Sequence, residues 1–275
     1  MKKILFGLVG AMSIVGSGYA ATNEMFVLDT SDPLYMLSEG AFLSSSNIEA
    51  GNGGYMRGFD HDYHVLLLGQ QFAFGVNDRF TIGANFRYQI GMTHHGHEDE
   101  HSLYIRGRGF SAELEGIYRL GLPHSNSINM TSDVLFGVRF AKDHSVWEYG
   151  PEFAKNAYFY GLRLGRQWTS WSLSGTIKST YIFDDIHTVW NRSGDKFQPG
   201  LAYVDLMPEL YFRLVHDWRA GIGYTHRVAT EKWFDRDWLQ FKLVKQYGRT
   251  QYAGTYSYEF KRSDSTVGFH LNLLF

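Results

Sequence analysis

Between positions 41 and 275, apolar side chains recur at every second residue in one segment after another. This is the period of a strand with one apolar face. The clearest case is 80–90, where Phe80, Ile82, Ala84, Phe86, Tyr88 and Ile90 alternate with Thr81, Gly83, Asn85, Arg87 and Gln89. An arginine on the polar face excludes a strand buried on both sides. At 265–275 the residues Val267, Phe269, Leu271, Leu273 and Phe275 repeat the pattern. Ten further segments follow the same rule more loosely: 41–50, 63–76, 103–120, 130–140, 157–168, 171–183, 203–215, 218–229, 238–247 and 251–261. The pattern therefore predicts twelve strands. Pro208 falls on an apolar face inside one of them, which predicts a bulge there.

The connections sort by length. Those after even-numbered strands (77–79, 121–129, 169–170, 216–217 and 248–250) are nearly all short, and those after odd-numbered strands are mostly long. Trp168, Trp171 and Trp218 fall on apolar faces beside the short turns. Tyr88, Phe140, Tyr158, Tyr181, Tyr203 and Tyr224 are assigned to the same faces at the opposite ends. Two aromatic girdles framing an apolar band suit strands that cross a bilayer, with the rings at headgroup level. A soluble β-sandwich would place those rings in a core.

The final strand, ending on Phe275, resembles the assembly signal of bacterial outer-membrane β-barrel proteins, and with the leader and the strand series the resemblance extends over nearly the whole chain. It implies an all-β fold: a transmembrane antiparallel up-and-down barrel of about twelve strands, with short periplasmic turns and long external loops. It further implies residence in the outer membrane of a Gram-negative envelope, contact with outer-membrane lipid, and insertion by the barrel-assembly machinery, which would read Val267, Phe269, Leu271, Leu273 and Phe275.

Composition fits this picture. Residues 1–20 carry Lys2 and Lys3, an apolar run and a small-residue ending at Ala20, the layout of a secretory signal peptide. The run is shorter than the ~20 apolar residues of a spanning helix, so membrane insertion falls to the strands. Removing the leader takes two of the 26 basic residues and leaves 24 against 28 acidic ones, a balance that excludes a nucleic-acid partner. The chain has no cysteine, so an exported domain here holds together without disulfides. Residues 21–40 show no sustained period and carry Glu24, Asp29, Asp32 and Glu39. They are read as a periplasmic extension before the barrel at 41–275. They are either loosely docked or folded back as a plug against a basic lumen.

The polar faces give the first candidate site. They carry Arg87, Arg119, Arg139, Arg163, Lys178, Arg213, Arg219, Arg227, Lys242 and Lys261 against Glu113, Glu115, Asp133, Asp205, Glu209 and Glu259. A basic lining suits a porin-like passive channel for small polar or anionic solutes. The competing reading is an internal salt-bridge network, with Arg119 against Asp133 and Lys178 against Glu209 as neighbouring-strand pairs. The second candidate is the stretch 94–101, where His94, His95, His97 and His101 with three carboxylates offer ligands for Zn²⁺ or Cu²⁺. Their spacing matches no fixed tetrahedral site, which favours a solvated external loop over a metal site. The third is lipid chemistry at the rim, where His226 lies on an apolar face; no G-x-S-x-G elbow accompanies it. No glycine-rich phosphate loop is present, and no cofactor is expected. A channel, a lipid-modifying barrel enzyme and a non-conducting structural or adhesion barrel are the three readings carried forward.

Overall fold

The computed structural model describes residues 30–53, 63–95, 102–121, 130–144, 156–183, 201–230, 232, 235–261 and 264–275. Twelve antiparallel strands close into one barrel: β1 (Phe42–Gly53), β2 (Tyr63–Asn77), β3 (Phe80–His95), β4 (Ser102–Gly121), β5 (Met130–His144), β6 (Ala157–Gln167), β7 (Trp171–Ile182), β8 (Leu201–Arg213), β9 (Trp218–Ala229), β10 (Arg236–Tyr247), β11 (Thr250–Glu259) and β12 (Asp264–Leu274). Each strand pairs with its sequence neighbour, and β1 closes on β12. Closure leaves the sheet without a free edge, which is what hydrocarbon demands of it.

The seam is continuous. β1 and β12 pair from Leu43↔Leu274 to Asn52↔Ser265, and Phe42 and Phe275 exchange backbone hydrogen bonds of 3.2 and 2.8 Å. The turn at His216 and Asp217 has φ of 54° and 61° at its two residues. That pair of left-handed residues is what a two-residue type I′ hairpin needs, and its twist matches the flanking strands.

Alternation sets the faces. Along β6 and β7, Leu162, Leu164, Leu173 and Ile177 are exposed on the outer wall, whereas Ala157, Phe159, Ser172, Ser174 and Thr180 are buried inside. The outer wall has its aromatic girdles. At the short-turn end Trp168 and Trp171 stack with centroids 3.8 Å apart, and Trp218 is exposed near the same end. At the other end Tyr158 and Tyr181 lie 5.2 Å apart, with Phe140 and Tyr224 exposed.

Several sequence expectations are corrected. Tyr203 belongs to the interior, not the outer girdle: it is 3 % exposed and packs with Ala157, Ile182 and Leu201. It shares the parity of Asp205 and Glu209, and a one-residue slip reverses every face. Pro208 makes no bulge. It pairs in register with Gly175 on one side; on the other the β8–β9 register is the same before and after it, with Met207 and Pro208 unpaired. The irregularities lie instead at 75/77, 91/92 and 119/121. β3 runs on to His95, so the loop expected at 91–102 is shorter. β8 begins at Leu201, which trims the loop expected at 184–202. Lys261 lies past the end of β11, exposed, with its Nζ donating to the Asp235 carbonyl at 2.8 Å.

The candidate channel interior

The bore at the short-turn end is occupied by the chain itself. Residues 30–37 run inside the wall, with Leu34 and Leu37 buried and Asp32 only 3 % exposed. One Asp32 oxygen accepts from Ser172 at 2.9 Å and Gln167 at 3.1 Å and meets the Arg213 guanidinium; the other accepts the Leu34 N–H at 2.8 Å. Arg119 donates to the Leu34 carbonyl at 2.7 Å, Lys242 to the Ser31 carbonyl at 3.2 Å, and Ser31 to Gln251 at 2.8 Å. These anchors come from β4, β6, β7, β8, β10 and β11, so the segment spans the opening. Leu37 packs against Ala73 and Leu274, and the exit from the bore is fixed by Gly40 N–H to Gly75 O and Gly75 N–H to Ala41 O, both 2.9 Å. Gly75 is required there, because a Cβ would overlap the Ser38 carbonyl. A cavity of 240 Å³ remains between the segment and the wall, bordered by Asp32, Tyr35, Gln71, Glu115, Arg163 and Lys242.

Several of the interior charged side chains are paired, and the strand register writes most of the pairs. Arg119, Asp133 and Arg163 stand opposite one another on β4, β5 and β6. Arg119 meets one Asp133 oxygen at 2.8 Å and Arg163 the other at 2.6 Å, with no exposure left to that carboxylate. Glu113 faces Arg139 at 3.2 Å, and Asp205 holds Arg227 through two bonds of 2.7 and 3.0 Å. A carboxylate taken out of water needs such partners, since an unpaired one would be strongly destabilising. Lys242 reaches Glu209 at 3.1 Å although β9 lies between them. The pair closes over Gly221, which stands opposite Lys242 in the β9–β10 register.

The expected Lys178–Glu209 pair is therefore not formed. The β7–β8 register sets Lys178 opposite Asp205 and Glu209 opposite Ser174. The Lys178 ammonium lies 5.0 Å from the Phe159 ring centroid and interacts electrostatically with Glu113 and Asp205. In the half away from the short turns Arg227 is sandwiched by Tyr203 at 3.9 Å and Trp238 at 4.9 Å, contacts in which a guanidinium gains from both ring faces.

Arg87, Glu113, Glu115, Arg119, Asp133, Arg139, Arg163, Lys178, Asp205, Glu209, Arg213, Arg219, Arg227 and Glu259 all share the inward face of their strands. Sequence reasoning missed three interior groups. Glu49 and His270 lie 3.8 Å apart across the seam, and Arg236 is buried at the start of β10. Glu49 has the parity of Ser45 and Asn47, which a firmer reading of the first strand would have used. With Asp32 and Glu49 inside and Lys261 outside, the interior is closer to charge balance than the strand pattern alone suggests.

His97 and His101 lie outside the described residues, and His94 and His95 end β3 with side chains that are likewise not described. At the rim, His226 is on the outer wall as expected, but it has company. Its Nδ1 is 2.7 Å from Asp237, whose same oxygen accepts the Tyr224 hydroxyl at 2.5 Å. Among the described residues, no serine shares the outward faces of β8, β9 and β10. Val267, Phe269, Leu271, Leu273 and Phe275 line the outward face of the closing strand.

No protein-family model matches the sequence. No curated protein matches it either. Solved structures do match in three dimensions. An outer-membrane channel from Pseudomonas putida F1 superposes with a TM-score of 0.59 at 11 % identity, covering 87 % of this chain and 97 % of that one. The translocator domain of the autotransporter NalP from Neisseria meningitidis gives 0.55 at 11 %, covering 90 % and 91 %. The KdgM porin gives 0.50 at 10 %, covering 83 % and 98 %. The chain is thus a closed twelve-stranded β-barrel of the outer-membrane type, with an architecture that channels and autotransporter translocators share.

Proposed function

We propose that the protein is a passive outer-membrane channel for small polar or anionic solutes, narrowed at its short-turn end by residues 30–37. The observation that carries this reading is the interior itself: a closed barrel whose inward face bears Arg87, Arg139, Lys178 and Arg227 in the half away from the short turns. Cationic rings of this kind favour anions while their paired carboxylates keep the wall polar throughout. The similarity to an outer-membrane channel and to the KdgM porin supports it, and the latter was also solved in complex with a disordered oligogalacturonate. In this proposal residues 1–20 direct export, residues 21–40 enter from the periplasmic side, and the outward face of β12 is read by the assembly machinery. Single-channel recording in planar bilayers tests it. Discrete anion-preferring steps are expected, larger or more frequent when residues 30–40 are deleted.

A second reading, a non-conducting structural barrel, is favoured by one observation: the buried anchoring of Asp32 and Leu34 across the bore. The deletion separates the two, since a structural barrel stays silent with the segment removed.

A further inference from the structure

The cavity between residues 30–37 and the wall is bordered by charged groups whose hydrogen-bonding capacity is only partly used. Asp32, Glu113, Asp133, Asp205 and Glu209 each meet a cationic side chain. Glu115 does not. Among the described residues it forms no ion pair and accepts a single hydrogen bond, from Gln71 Nε2 at 2.8 Å. Lys178 and Arg87 attract it only from beyond contact, and Glu113 on the same face adds a like charge. An ionised carboxylate can accept about four hydrogen bonds, so most of that capacity is open. The cations at the same cavity have the opposite surplus. An ammonium has three donors, and Lys242 gives two of them to the Ser31 carbonyl and to Glu209. Arg163 gives its Nε and Nη2 to Asp133, and no acceptor among the described residues meets its Nη1. Asp32 also borders the cavity, but both its oxygens are engaged.

We infer that this cavity binds a small zwitterionic solute, its ammonium on Glu115 and its carboxylate toward Lys242 and Arg163. A solute with one charge fits less well. A lone anion leaves Glu115 without a donor and is repelled by it, and a lone cation meets Lys242 and Arg163. The volume of 240 Å³ sets the size. It lies below the ~300–1,000 Å³ of sites for drug-sized ligands and holds roughly eight waters at ~30 Å³ each, which is room for a solute of amino-acid size. Residues 30–37 supply one wall through Ser31, Tyr35 and Leu37, so the site exists only while that segment is docked. The inference deepens the channel reading by naming a class of polar solute for its interior, but binding itself needs no conduction.

Saturation-transfer NMR on the folded protein in detergent micelles reads weak binding without any current. The probes are β-alanine, which carries both charges, and propionate and propylamine, which carry one each on a frame of similar size. Transfer is expected to β-alanine and not to the two singly charged probes. In Glu115→Gln the amide oxygen still accepts from Gln71 but no longer holds an ammonium, and the apparent affinity for β-alanine should fall about tenfold or more. A variant lacking residues 30–40 loses one wall of the cavity and should show no transfer. Both variants are compared as folded, heat-modifiable barrels. Absence of transfer to β-alanine in the wild type, equal transfer to propionate or propylamine, or undiminished binding in either folded variant would overturn the inference. Bilayer recordings on the same protein separate this result from the channel reading. β-Alanine binding without current leaves the site standing and removes conduction, whereas anion-preferring steps without β-alanine binding remove the site alone.

Discussion

Replacing Asp32 by alanine should release the chain from the bore while leaving the barrel standing. The carboxylate takes no part in the strand ladder, and its partners Arg213, Ser172 and Gln167 sit on strands held by their own registers. Breaking a buried ion pair by removing one partner costs about 3–5 kcal/mol. Here the Arg213 side chain is 23 % exposed and can recover some hydration, so the cost is nearer 2–3 kcal/mol. That loss falls on docking of residues 30–37, and it multiplies the undocked fraction by about 30- to 140-fold at ~1.4 kcal/mol per decade. Asp32→Asn keeps the hydrogen-bonding shape and loses only the charge, so its effect should be smaller. Single-channel recording would show raised open probability in the order wild type, Asp32→Asn, Asp32→Ala, and hydrogen exchange at the Leu34 amide would accelerate in parallel. If Asp32→Ala leaves both the exchange and the current unchanged, Asp32 does not anchor the segment.

Three further outcomes follow from the same geometry. Gly75→Ala places a Cβ inside the Ser38 carbonyl, an overlap costing about 1–3 kcal/mol, and should loosen residues 37–40 so that hydrogen-exchange measurements find them accessible. Asp133→Ala strands two guanidinium groups inside the wall and should destabilise the barrel by about 3–5 kcal/mol, read as a lower urea midpoint in lipid vesicles. Lys178→Gln removes an interior cation that faces Asp205, and should move the reversal potential under a salt gradient toward cation preference with the fold unchanged by tryptophan fluorescence.

Strand number and facing were legible because alternation is a local signal, and a membrane band enforces it strand by strand. Trp218–Ala229 matches the expected 218–229, and β7 and β11 differ only at their ends. What escaped was non-local. The path of residues 30–37 has no period to read, since Asp32 is placed by partners 135 to 181 residues away. Pairing Lys178 with Glu209 needs a strand register that the sequence does not supply, and the actual partner of Glu209 sits across an intervening strand. His226 was noticed alone because Asp237 precedes the strand expected at 238–247; the strand starts at Arg236 and brings the two together.

The measurement that bears most directly on the proposed channel is single-channel recording of refolded protein under a salt gradient, run on the wild type and on a variant lacking residues 30–40. Small anion-preferring steps in the wild type and larger ones after the deletion are the predicted result. Silence from both, with the barrel folded and inserted, would contradict it.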